Sequence, residues 1–176
     1  RDLDHRAACR HAAGNLMALG HRRLAFVTLQ APPAGDIASE LGFQEAIAAT
    51  REEVTSSVAK HDGTPAHLFL TLRRLMAGRD RPTGLGVTQA YHALSVISGL
   101  ARLGFRVPQD VSVISRDDDP FFAFLQPEPC RYAANPKDYA RRILPAIVES
   151  LSGQPVSRRA EWSMPRFLRG HSLAAP

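Results

Sequence analysis

Four charged residues in a row, Arg116-Asp117-Asp118-Asp119, directly follow the apolar run VSVIS at 111–115. Carboxylates at the carboxyl end of a strand can hold a magnesium ion for phosphoryl chemistry, accept hydrogen bonds from a polar ligand, or merely solvate a turn. No second acidic strand end is visible to complete a metal site, and at this point all three readings stay open. The seven histidines are scattered, with no pair at the i, i+4 or Cys/His spacings of a zinc site. Cys9 and Cys130 lie far apart and match no redox or metal spacing, so they read as ordinary thiols of a reducing compartment. There is no GxSxG elbow and no P-loop. Gly84-Leu85-Gly86 starts like a dinucleotide fingerprint, but it lacks the third glycine and falls before or within a strand, where the fingerprint should follow one. The expectation is a binding protein and not an enzyme, with no catalytic residue, metal or cofactor.

The elements that would position the acidic cluster come next. At 176 residues, 44% hydrophobic and 22% charged, the chain suits one sizeable core or two small lobes. Its net charge of +5 is carried mostly by scattered arginines, with lysine only at Lys60 and Lys137. No helix-turn-helix, zinc-finger or basic-zipper pattern accompanies that charge, so direct DNA binding by these residues is not expected. No run of eighteen apolar residues occurs, and the opening RDLDHRAACRH is too polar for a secretory signal. These features predict no membrane association and a cytoplasmic location.

Strand and helix signals alternate along the chain. A helix is expected over 5–19, a strand at Leu24–Leu29, a helix capped by Asp36 through Ile47, and a weak strand at Val54–Val58. Thr64 and Pro65 cap and open a helix with Leu68, Leu72, Leu75 and Met76 on one face, ending at Gly78. A strand at Leu85–Thr88, a helix around Ala93–Leu100 ending at Gly104, and the strand Val111–Ser115 follow. Asn135 and Pro136 open a last helix stopped by Gly153, and Arg166–Arg169 form a closing strand. The fold class is thus α/β, a three-layer α/β/α arrangement with a mainly parallel sheet. Ligands of such sheets sit outside the carboxyl ends of the strands, here the loops after Leu29, Thr88 and Ser115 and the segment His61-Asp62-Gly63.

Six segments lie in an order and spacing that resemble the lactose-repressor (LacI/GalR) family of transcription regulators. LGHRRLAFV at 19–27 resembles the family's GHRxIAFI, SELGFQEA at 39–46 its RxxGFxxA, and RPTGLGV at 81–87 its PTAIxxxND strand. GFRVPQDVSVISRDDDP at 104–120 is similar to GxRVPxDVSVxGFDDxP, the most specific of the set. PCRYAANP at 129–136 resembles PLTTVRQP with its middle changed, and MPRFLRGHS at 164–172 the closing PxLVxRxS strand.

The resemblance implies a periplasmic-binding-protein-like fold, mostly the second lobe with a partial first lobe. Residues 1–22 would be a first-lobe helix, 23–135 the second lobe, 136–152 a returning first-lobe helix, and 153–176 the closing strand and tail. It also implies a homodimer and a small-molecule effector, a sugar or related polyol, with operator DNA met only through a headpiece outside these residues. Asp117 matches the family's ligand-contacting acid. Ser39 stands where the family has a ligand-contacting Arg, which removes a guanidinium fork. Gln89 and Ala90 replace Asn-Asp, Gly63 replaces a stacking aromatic, and Arg116 replaces an aromatic beside the acid. Asp36, Ser39, Gly63, Gln89 and Asp117 are therefore the candidate ligand residues. Ala93 and Ile97, with Phe121, Phe122 and Phe124 of the aromatic segment, are the candidate dimer surface. The alternatives are a solute-binding protein of a sugar transport system and a metal-dependent α/β enzyme built on residues 117–119.

Overall fold

The structure, a computed structural model, describes residues 2–152 and 162–176. It opens with a short strand, β1 (Asp2–Leu3), and helix α1 (His5–Ala18), whose first turn is capped by the Asp4 carboxylate accepting from the Ala7 amide at 2.8 Å. Alternation then runs through β2 (Arg23–Leu29), α2 (Ala34–Ala49), β3 (Thr55–His61), α3 (Pro65–Leu75), β4 (Gly84–Val87), α4 (Ala90–Arg102) and β5 (Ser112–Ser115). A 3₁₀ turn (Pro120–Phe124), β6 (Cys130–Ala133), α5 (Pro136–Leu151), β7 (Trp162–Ser163) and β8 (Arg166–Leu168) complete it.

The main sheet has the order β3-β2-β4-β5-β6-β8, parallel through β6, with β8 antiparallel on the edge. β1 and β7 pair in a separate two-stranded sheet. Strands buried on both faces need apolar side chains in both directions, and β2 supplies them. Ala25 and Val27 join Leu85, Val87 and Val113 beneath α3 and α4, whereas Leu24 and Phe26 join Ile114 beneath α1 and α2. The expected three layers and mainly parallel sheet are what the chain forms.

Several local readings hold at the level of single atoms. The Thr64 hydroxyl accepts from the His67 amide with Pro65 at the first helical position, and Asn135 accepts from the Lys137 amide ahead of Pro136. Gly78 and Gly104 take φ of 98° and 86°, the left-handed conformation that ends a helix without the cost of a Cβ.

Others need correction. Asp36 does not cap α2, which already starts at Ala34 behind Pro33; Asp36 sits in the first turn with its carboxylate engaged elsewhere. β3 runs through His61, three residues beyond the expected end, because it pairs in parallel with the whole of β2, from Arg23 against Thr55 to Leu29 against His61. β6 and the 3₁₀ turn carry too few alternating residues to announce themselves. Ala93 and Phe122 are fully buried within the lobe's own core and have no surface to give a partner, so neither belongs to a dimer face. Phe121 packs edge-on against Phe122, and only Phe124, 87% exposed, projects from the segment. The expected stop at Gly153 lies outside the described residues.

The close crossing of α1 and α2 depends on Gly42. A Cβ at that position would overlap the carbonyl of Arg6, a backbone atom that cannot swing aside. The Gly42→Ala substitution is therefore expected to cost at least about 2 kcal/mol despite its better helix propensity. Urea denaturation midpoints decide this, and an unchanged or raised midpoint would show that the helices separate freely.

Candidate functional site

The parallel topology brings the carboxyl ends of β2, β4 and β5 to one edge, where α1 and α2 also begin. Arg116 leaves β5 there with its amide on the Val87 carbonyl at 2.8 Å, and alternation turns its side chain to the α1/α2 face with Ile114. Its guanidinium is 7% exposed and bound on every nitrogen. Nε and Nη2 donate to the two Asp117 oxygens at 2.9 and 3.0 Å, and Nη1 donates to Asp36 Oδ1 at 2.5 Å and to the Ser39 hydroxyl at 3.1 Å. Burial opposes the charge on Arg116, but the hydrogen bonds and fields of Asp117 and Asp36 outweigh it and raise the pKa.

Above this network opens a cavity of about 470 Å³, within the range of small-molecule sites. Asp36, Gln89, Tyr91, Arg116 and Asp117 border it, together with Asp2, His5, Asp118 and Asp119. Asp117 is 36% exposed and reachable. Gln89 precedes α4 with its Oε1 unpartnered within the protein. Ser39 is fully buried; its hydroxyl donates to the Gly35 carbonyl at 2.7 Å and supports Arg116 from below. Gly63, at φ 92°, turns the chain between β3 and α3 and does not border the cavity.

The three consecutive aspartates have separate tasks. Asp117 takes Arg116, Asp118 accepts from Arg131 Nε at 2.6 Å, and Asp119 caps the 3₁₀ turn through the Phe121 amide at 3.0 Å. Among the described residues no group of three or more His, Cys, Asp or Glu could hold a metal ion. Arg116, His5 and Tyr91 were not among the sequence candidates. The paired departures at positions 39 and 116 carried the signal for Arg116, since a guanidinium lost from one position reappears at the other.

The parallel sheet with a polar cavity at its strand ends is an α/β domain of the periplasmic-binding-protein-like type. A family model for the periplasmic binding protein-like domain matches residues 13–173, and the chain belongs to that family. The HTH-type transcriptional regulator MalR of Streptomyces coelicolor is 28% identical over 189 aligned positions, which cover 98% of this chain and 52% of that protein. The chain thus spans about half the length of the curated relatives it matches, which are transcription regulators and not enzymes. A LacI family regulator from Bifidobacterium animalis superposes with a TM-score of 0.85 at 22% identity, over 97% of this chain and 62% of that one. One from Enterococcus faecium, solved with bound ribose, gives 0.82 at 18% identity, over 99% and 65%. At these identities the superpositions speak for the fold alone. Among the described residues no helix is long and apolar enough to cross a membrane.

A second polar group lies beneath α3 and α4. The rings of His61 and His92 meet edge to face at 4.3 Å, and Tyr91 covers His92 at 4.2 Å. His61 Nδ1 accepts from the Gly63 amide at 3.1 Å, which leaves the proton of its neutral ring on Nε2. Burial pushes the His92 pKa down to about 4, with the nearby His61 adding to the effect, and burial lowers His61 as well. An imidazole in the unfolded chain protonates near its ordinary value of about 6.5. Between those values the unfolded chain binds more protons, so stability falls as pH drops from 6.5 toward 4 and is unaffected by this group above 6.5. His92→Phe is expected to flatten that decline, leaving a residue from His5, His21 and His61, whose values are also lowered. Urea midpoints at about pH 7.5 and about pH 5 measure it; parallel losses in both proteins would remove His92 as a cause.

Proposed function

We propose that this chain is the effector-sensing and dimerisation domain of a transcription regulator, that its effector is a sugar or related polyol, and that operator DNA is read by a headpiece elsewhere in the natural protein. The observation that carries the reading is Asp117, a half-exposed carboxylate held by a bidentate Arg116 at the strand ends of an open cavity. A carboxylate so oriented accepts hydroxyl hydrogen bonds without first losing rotamer freedom. Gln89 Oε1 offers a second acceptor, and Asp36 and Ser39 act by holding Arg116. The ribose in the Enterococcus faecium regulator supports the polyol class. A DNA-binding regulator works beside its operator, which argues for the cytoplasm.

The division into lobes fits the surface. On α5, Leu144, Ile147, Val148 and Leu151 are all about half or more exposed, as are Trp162 and Met164 nearby in sequence to the closing strand. Apolar faces of this extent are ordinarily covered, and first-lobe elements of the natural protein would cover these. Residues 136–152 are accordingly read as a first-lobe part, whereas α1 shares one core with α2 and the main sheet, so the reading of 1–22 as first lobe is withdrawn.

Calorimetry on the full natural protein against neutral pentoses, hexoses, disaccharides and polyols tests the sensing role. A charge-assisted hydrogen bond is worth about 1.5–3 kcal/mol, so Asp117→Ala is expected to weaken binding roughly 10- to 100-fold. Equal affinities would reduce Asp117 to a turn residue. Self-association is expected through the surface bearing Ile97 and the exposed Phe124. Sedimentation equilibrium should show a dimer that Phe124→Glu weakens, and a dimer indifferent to that change would place the interface elsewhere.

A further inference from the structure

The chain carries a net charge of +5, yet the cavity reverses that sign. Asp2, Asp36, Asp117, Asp118 and Asp119 border it, with Arg116 as the single guanidinium among the bordering residues. That guanidinium is already spent on protein groups, since its fork closes on Asp117 and its remaining nitrogen reaches Asp36 and Ser39. An incoming phosphate or carboxylate would have to displace Asp117 and then face the other carboxylates. Burial, reinforced by the charge of Arg116, keeps His5 below its ordinary value, so it adds no cation near neutral pH.

Asp36 points independently to a donor. It is 1% exposed and accepts from Arg116 through Oδ1, while Oδ2 has no partner within the protein although the residue borders the cavity. A buried carboxylate oxygen without a donor is costly, and an ammonium or amine N–H supplied by a ligand relieves that cost. Gln89 Oε1 is likewise an acceptor without a donor. The carboxylates do not converge as metal ligands among the described residues, which favours an organic cation. We infer that this cavity selects an amine-bearing, cationic polar molecule, an amino sugar or aminated polyol in chemical class, and rejects sugar phosphates and sugar acids. The inference rests on the effector-sensing reading above.

The test is one ring carried at three charges: calorimetry of the full natural protein with D-glucosamine, D-glucose and D-glucuronate at low salt, at concentrations up to roughly millimolar. Glucosamine is expected to bind about tenfold more tightly than glucose, glucuronate weakest of the three, and the spread to shrink as salt rises. Asp36→Asn should bring glucosamine and glucose close together. Because that change unbalances a buried ion pair, Asp117→Asn at the more exposed carboxylate serves as a second variant, expected to narrow the same ratio. Glucose binding as tightly as glucosamine, or glucuronate binding tightest, overturns the inference and leaves the sensing role intact. Silence of all three sugars alongside a hit in the neutral panel does the same. Silence in both overturns the two readings together.

Discussion

The Arg116 guanidinium lies at the carboxyl end of β5 and joins two parts of the chain that are far apart in sequence. It draws the first turn of α2 down through Asp36 and Ser39 and fixes the turn after β5 through Asp117. Ion pairs this deeply buried gain little net stability, because desolvation consumes most of the attraction. Their effect lies in what they forbid, since removing one partner strands the other's charge in a poor solvent. The position of α2 over the sheet, and with it the floor of the cavity, therefore follows the Arg116 side chain. Gly42 makes the same arrangement possible from the other side by letting α1 and α2 touch backbone to backbone.

That geometry also sets the electrostatics of the cavity. A run of three aspartates would repel itself if all pointed the same way, and the fold separates them onto Arg116, Arg131 and the amide of Phe121. The oxygens left over, above all Asp36 Oδ2, are acceptors, so the bordering surface asks for donors. On the opposite face of the sheet, the neutral pair His61 and His92 underlies Tyr91, which reaches back to the cavity rim. The two faces thus meet at the same strand ends with different chemistry, one ionic and one made of uncharged rings.

Much of the fold was legible because its signals are local. Short apolar runs, the Thr64-Pro65 and Asn135-Pro136 openings and the glycine stops each depend on residues within a turn of one another. Asp36 was rightly placed among the ligand candidates but misread as a cap for the same reason: an acid before an apolar periodicity suits a cap, and only its contact with Arg116, eighty positions away, shows what its carboxylate holds. Phe122 was read as a surface anchor because a phenylalanine-rich turn after a polar strand end gives no sign of which ring faces inward. Ser39 and Arg116 each looked like the loss of a ligand group. Brought to 3.1 Å from one another, they replace a guanidinium on the helix with one on the strand.

The sequence by itself determined the order of the five helices and of the principal strands, the mainly parallel sheet and the edge at which polar chemistry collects, because hydrophobic period and turn residues act over a few positions along the chain. The tertiary structure alone decided which carboxylates are spent on arginine and which remain open, which aromatic rings are core and which are surface, and the sign of the charge facing the cavity. Those outcomes depend on distances between residues remote in sequence and on the low dielectric created by packing around them, neither of which any local pattern encodes.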